Sequence, residues 1–213
     1  MIVLKHHRDP SDIRVLSLFG TRPEAIKCAP VIRELERRGF GTVNVNSAQH
    51  RDLLDPLIKH FKLRIDHDLE VMREAQSLNG IASRVLEAID PILENARPDV
   101  VLVQGDTTTA MAGALAAWNR KIPVAHIEAG LRSGNPNSPF PEEMNRRIVS
   151  QMATWHFAAT ERNRMTLERE GVAGESIFVT GNPVIDALQW TLENAGPSAE
   201  VDGLLDRIGN RRR

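Results

Sequence analysis

Short apolar runs alternate along the chain with longer stretches in which apolar residues recur every three or four positions. Residues 13–19 (Ile-Arg-Val-Leu-Ser-Leu-Phe), 43–45, 100–104, 122–128, 156–159 and 177–180 read as strands. Residues 100–103 are four consecutive aliphatics, too short for a surface helix, and fit a strand buried on both faces. Helices are expected over 23–38, stopping at Gly39, over 53–61, and over 78–96, where Leu78, Ile81, Val85, Ile89 and Ile92 keep a 3.6-residue period. The small-residue run 110–117 predicts a helix packed closely on a sheet. Further helices are expected over 141–154, over 161–170 between a Thr160 cap and Gly171, and over 183–194. Pro30 predicts a kink or a second start in the first helix, and Pro56 an interruption in the second. Residues 63–69 are ambiguous, with a short strand as one reading. Strand and helix alternate six or seven times. That pattern predicts an α/β fold: one open parallel sheet with helices on both faces and right-handed crossovers.

Composition narrows the picture. Of 213 residues, 41% are hydrophobic, enough for a sizeable core. A net charge of -1 argues against nucleic acid as the main partner. The single cysteine, Cys28, excludes an intrachain disulfide framework and fits a reducing, cytoplasmic setting. It shares a helical apolar spacing with Val31, Ile32 and Leu35, so it reads as core. No apolar run approaches the ~20 residues of a membrane span. Residues 1–12 read as a tail, His6 and His7 included; 13–195 read as one α/β domain; 196–213 read as a linker or tail ending in a solvated Arg211-Arg-Arg213. His126 and His156 read as buried structural residues, so no metal and no cofactor are expected.

In parallel α/β sheets ligands bind at the carboxyl ends of the strands. Arg22 and Lys27 follow the first strand, Asp106 the strand at 100–104, and Glu128 ends the strand at 122–128. Glu142 and Arg146 open the helix after a Gly, Asn, Pro and Ser-rich loop, residues 131–141, expected to be surface-lying and mobile. Each has a structural reading as well: Glu142 and Arg146 as an i, i+4 helical ion pair, Asp106 as a helix cap, Lys27 as a solvated face. Taken together they offer cations for a diphosphate and carboxylates for proton transfer on a sugar. Neither Gly-x-G-x-x-Gly nor a phosphate-loop motif occurs, which weakens a dinucleotide or nucleoside-triphosphatase reading.

Six motifs carry a resemblance. Gly20-Thr-Arg-Pro-Glu-Ala-Ile-Lys27, Gln49-His-Arg51, Val103-Gln-Gly-Asp-Thr-Thr-Thr109, His126-Ile-Glu-Ala-Gly-Leu-Arg132, Pro139-Phe-Pro-Glu-Glu-Met-Asn-Arg146 and Val179-Thr-Gly-Asn-Pro-Val-Ile-Asp-Ala-Leu188 together resemble the non-hydrolysing UDP-N-acetylglucosamine 2-epimerases. The resemblance implies the Rossmann-like N-terminal domain of a glycosyltransferase B-type two-domain fold. It implies interconversion of UDP-N-acetylglucosamine and UDP-N-acetylmannosamine by elimination and re-addition of UDP. Asp106, Glu128 and Glu142 match the family's catalytic acids, and Arg146 the arginine paired with the last of them. Arg22 and Lys27 match diphosphate contacts, and Gln49, His50 and Arg51 a regulatory nucleotide-sugar site of some bacterial members. A UDP-sugar substrate and a homodimer follow as expectations, with no nucleic acid and no membrane partner. The chain corresponds to the first half of such a protein. Low activity alone is therefore expected, together with an exposed face where a second domain docks. A hydrolysing or glycosyltransferase relative and a non-catalytic sugar-nucleotide-binding domain stay open as alternatives.

Overall fold

The computed structural model describes residues 9–48, 51–73, 75–194, 203, 204, 207 and 208. Seven parallel strands form one sheet: β1 (Arg14–Phe19), β2 (Gly41–Asn46), β3 (His67–Asp68), β4 (Val100–Gln104), β5 (Val124–Ala129), β6 (Trp155–Ala158) and β7 (Ile177–Val179). Their order across the sheet is β3-β2-β1-β4-β5-β6-β7. Seven helices connect and follow them: α1 (Arg22–Arg37), α2 (Arg51–His60), α3 (Leu78–Ala96), α4 (Thr108–Asn119), α5 (Glu142–Met152), α6 (Glu161–Arg169) and α7 (Val184–Asn194).

Successive strand residues face opposite ways, and the core divides accordingly. Leu16, Leu18, Val101 and Val103 pack under α3 and α4. Val15, Leu102, Ala125 and Ile127 pack on the other face with Val31 and Leu35 of α1. Phe19 extends that second layer among Cys28, Ile32, Leu54 and Phe61, with Trp190 of α7 against it. The alanine-rich α4 lies close on the sheet, because a methyl group on Gly113 would stand 2.2 Å from Leu18.

α1 runs through Pro30 as one element, so Pro30 does not mark a second start, and α2 runs through Pro56 without interruption. Each proline removes one intrahelical bond, and for α1 the burial of Cys28, Ala29 and Ile32 around it offsets that loss. The ambiguous segment 63–69 contributes only the two-residue β3 at the sheet edge. Apolar side chains of the kind expected at a docking face are exposed on β7 and α7: Phe178, Val179, Ile185, Leu188 and Leu192. Among the described residues no helix is long and apolar enough to cross a membrane.

β1 and β4 are neighbours, but the chain leaves them in opposite directions, toward β2 and toward β5. A crevice at the carboxyl ends of such a strand pair is where an open α/β sheet receives ligands. Two side-chain bonds stitch its lips together. Thr107 donates its hydroxyl to Glu24 at 2.6 Å, and the hydroxyls of Ser47 and Thr109 meet at 3.0 Å. Glu24 also accepts the backbone N–H groups of Gly20 and Thr21, so it holds both loops. Burial pushes its carboxyl above the usual range, against the hydrogen bonds from Thr107, Thr21 and Gly20.

Candidate active site

Glu128 has a backbone that its residue type resists. Its φ is 64°, in the left-handed region, where a non-glycine residue costs on the order of 1–2 kcal/mol. The β5–β6 register shifts between Ile127 and Ala129, so Glu128 occupies a bulge. Bulges of this kind re-aim a side chain at the end of a strand. The carboxylate is then held from three directions. Lys27 donates to Oε1 at 2.8 Å and to Oε2 at 2.6 Å. Gln104, buried at the end of β4, donates to Oε2 at 2.7 Å. Asn182, in the turn before α7, donates to Oε1 at 2.8 Å.

Two residues beyond Gln104, Asp106 makes an ion pair with Arg146 of α5. Asn145, the preceding residue of that helix, donates its side-chain amide to the Asp106 carbonyl at 2.8 Å. The tripeptide Gln104-Gly-Asp106 therefore touches both charge pairs. Gly105 between them has a φ of 70°, and its carbonyl accepts a hydrogen bond from His126 Nε2 at 2.8 Å. A carbonyl only accepts, so Nε2 carries the His126 proton. Nδ1 is then a bare nitrogen with no partner. Burial holds both His126 and its strand neighbour His156 down to about 4. Both are uncharged, as the structural reading expected.

Arg146 does not pair with Glu142. Its second partner is Glu143, at 3.3 Å. The sequence spacing of 142 and 146 suggested an i, i+4 pair, but the Arg146 head crosses to the β4–α4 turn instead. Glu142 is left with a buried Oε2 that has no hydrogen-bond partner among the described residues. Glu143 is fully buried and accepts from Ser133 N, Arg146 and Arg147. Burial alone would raise its carboxyl, but those three donors together hold it below the usual value. Through Ser133 it also fastens the loop at 131–141 to α5.

Arg22 opens α1, is exposed, and makes no ion pair among the described residues. Gln49 and His50 lie outside the described residues, as does the side chain of Arg51, which begins α2. Gln104, Glu143, Asn145 and Asn182 were not singled out from the sequence, although each lies inside a motif that was. Their neighbours drew the attention because they carry the more familiar charges.

An open parallel sheet with acids and bases gathered at its switch point defines the class: the Rossmann-like N-terminal domain of a glycosyltransferase B-type protein. The model of the UDP-N-acetylglucosamine 2-epimerase family matches residues 33–212, and the chain belongs to that family. The UDP-N-acetylglucosamine 2-epimerase of Escherichia coli K12 is 51% identical over 190 residues, covering 89% of this chain and 50% of that protein. The crystal structure of the Neisseria meningitidis epimerase bound to UDP-GlcNAc superposes with a TM-score of 0.81 at 48% identity, covering 85% of this chain and 50% of that one. The Methanocaldococcus jannaschii epimerase in complex with UDP-GlcNAc and UDP gives 0.84 at 35% identity, over 92% of this chain and 54% of that one. The chain thus spans about half the length of the relatives it matches.

Proposed function

We propose that this chain is the carboxylate-bearing half of an enzyme that interconverts UDP-N-acetylglucosamine and UDP-N-acetylmannosamine. The observation that carries the reading is the meeting of two charge pairs, Lys27–Glu128 and Asp106–Arg146, at the two ends of one tripeptide. Inversion at C2 of the sugar needs a proton removed from one face and returned to the other. In the first half-reaction a carboxylate takes the C2 proton. The C–H electrons form the C1=C2 double bond, and the C1–O bond breaks, so UDP departs with its electron pair. In the second, UDP re-adds at C1 and an acid protonates C2 from the opposite side.

This needs two acid–base groups and cations for the diphosphate. Glu142 is the group we assign to proton removal, because among the described residues no arginine, lysine or amide engages its carboxylate, unlike those of Asp106 and Glu128. Asp106 and Glu128 already accept from Arg146, Lys27, Gln104 and Asn182, and they suit orientation and proton return. Arg22 and Lys27 face the diphosphate in this reading. A diphosphate arriving at Lys27 competes with Glu128 for the ammonium. A UDP-sugar substrate, a homodimer and a cytoplasmic setting belong to the same proposal. The buried, unpaired Cys28 supports the last of these.

The test is incubation with UDP-N-acetylglucosamine in D2O, followed by proton NMR. The chain is assayed alone and fused to the second half of the Escherichia coli relative. The fusion is expected to give UDP-N-acetylmannosamine deuterated at C2. The chain alone should give little, because half a cleft neither excludes water nor fixes the sugar. Free N-acetylmannosamine would assign a hydrolysing reaction instead. UDP binding by calorimetry with no turnover in either form would leave a non-catalytic binding domain.

A further inference from the structure

We infer that Asn182 is a positioning residue for Glu128. The role extends the reading above, in which Glu128 takes part in the chemistry. Of the two Glu128 oxygens, Oε2 is held by Lys27 and Gln104, and Oε1 by Lys27 and Asn182. When a diphosphate draws Lys27 away, Asn182 is the remaining donor on Oε1 among the described residues. The carboxylate keeps its direction only if that amide stays in place.

Asn182 is built to stay. Its Oδ1 accepts the N–H of Val184, the first residue of α7, at 3.1 Å. A backbone N–H only donates and a carboxylate only accepts, so both ends of the amide are assigned by their partners. The helix it caps is anchored in turn. Trp190 packs against Phe61 and His60 with ring centroids 5.4 and 5.2 Å apart, and the Arg33 guanidinium lies 4.7 Å from the Trp190 ring. Thr191 and His60 hydrogen-bond at 3.0 Å. A cap alone needs only the Asn182 oxygen. The amide's reach across to Glu128, 54 positions away, is not required for that.

The experiment uses the 213-residue chain and follows the Asn182 side-chain amide by 15N–1H NMR at neutral pH. The expected signal is an amide proton shifted downfield and protected from solvent exchange by its bond to Glu128, and both effects should vanish in Glu128→Ala. A wild-type amide with free-asparagine shift and exchange overturns the inference, and so does a protected amide that survives in Glu128→Ala. Asn182→Ser retains a capping oxygen and removes the amide donor. In the fusion assay it should lower kcat on the order of tenfold and leave KM within about twofold, with the melting temperature unchanged. A lowered melting temperature with unaltered kcat would reduce Asn182 to a cap. The amide signal reads the contact whether or not the sugar is turned over, so failure of the proposed reaction and failure of this inference are distinguishable.

Discussion

Lys27 and Glu128 stand 101 positions apart in the chain and meet at 2.6 Å. One comes from the helix after β1, the other from a bulge at the end of β5. Between them in the sheet lies β4, whose last residue, Gln104, touches the same carboxylate. A crossover order that places β1 beside β4 and β4 beside β5 is what makes this meeting geometrically available. The ligands of the strained Glu128 are thus drawn from both sides of the switch point.

Lys27→Met should uncover how much that pair matters. Both side chains are largely but not wholly buried, at 19% and 16% exposure. Removing the ammonium leaves a carboxylate with only its two amide donors. A loss of about 1–3 kcal/mol in urea denaturation is expected. UDP affinity by calorimetry should fall in the same variant. Unchanged stability and unchanged affinity together would place Lys27 outside the site.

Stability should drop in mild acid because of two histidines. In the folded chain His126 and His156 take up a second proton only below about 4, against 6.5 for a free imidazole. Between those values the unfolded chain binds protons that the folded chain refuses. Stability is complete above 6.5 and is lost as pH falls toward 4, by roughly 2–3 kcal/mol per histidine. Glu24 works the other way: its raised carboxyl pKa favours the folded state less as pH rises above 4.5. Urea midpoints measured from about pH 7.5 to about pH 4.5 give the slope. His126→Gln and His156→Gln should each remove a large part of it, and a slope unchanged from the wild type in both variants would exclude this origin.

Two glycines with the same backbone separate conformational cost from collision. Gly39 and Gly130 have φ of 83° and 82°. A methyl on Gly39 meets nothing within 4 Å, whereas on Gly130 it would stand 2.3 Å from the Asn163 carbonyl oxygen. Gly39→Ala should therefore cost about 1–2 kcal/mol, the left-handed penalty alone. Gly130→Ala adds a backbone clash between the β5 turn and α6, worth about 1–3 kcal/mol more. Equal melting temperatures for the two variants would show that α6 yields without strain.

The sheet could be read from the sequence because its central strands are continuous aliphatic runs. β3 was legible only as one reading of residues 63–69, since its two residues, His67 and Asp68, are polar and exposed and pair only at an edge. Pro30 does not start a second helix and Pro56 does not interrupt α2, because a local rule about one missing N–H ignores what the helix buries. In the site, charged residues after strands gave themselves away, but their pairings did not. The partner of Arg146 depends on where the β4–α4 turn lies in space, which i, i+4 spacing cannot express. Gln104 and Asn182 carry no charge, so their amides gained meaning only once Glu128 lay beside them. Glu143 looked like one more acid in a helix's first turn, yet it is the one fully buried.

Adjacent glutamates at the start of α5 should behave oppositely on substitution. Glu143 is enclosed and accepts from Ser133 N at 2.9 Å, Arg147 at 3.0 Å and Arg146 at 3.3 Å. Glu143→Ala leaves the Ser133 N–H without its acceptor, removes the partner of Arg147 and leaves Arg146 only Asp106, so a loss of about 1–3 kcal/mol is expected. The loop at 131–141 should at the same time become open to proteases. Glu142 has no such partners, and its Oε2 is buried without a hydrogen bond. Glu142→Gln should leave stability within about 0.5 kcal/mol. In the fusion enzyme the same change should lower kcat on the order of 10²- to 10⁴-fold, as loss of a general base does. The contrast follows from the contacts, because Glu143 is saturated with donors and fixes structure, while among the described residues no cation engages Glu142. Full turnover in Glu142→Gln would move the base to Asp106 or Glu128.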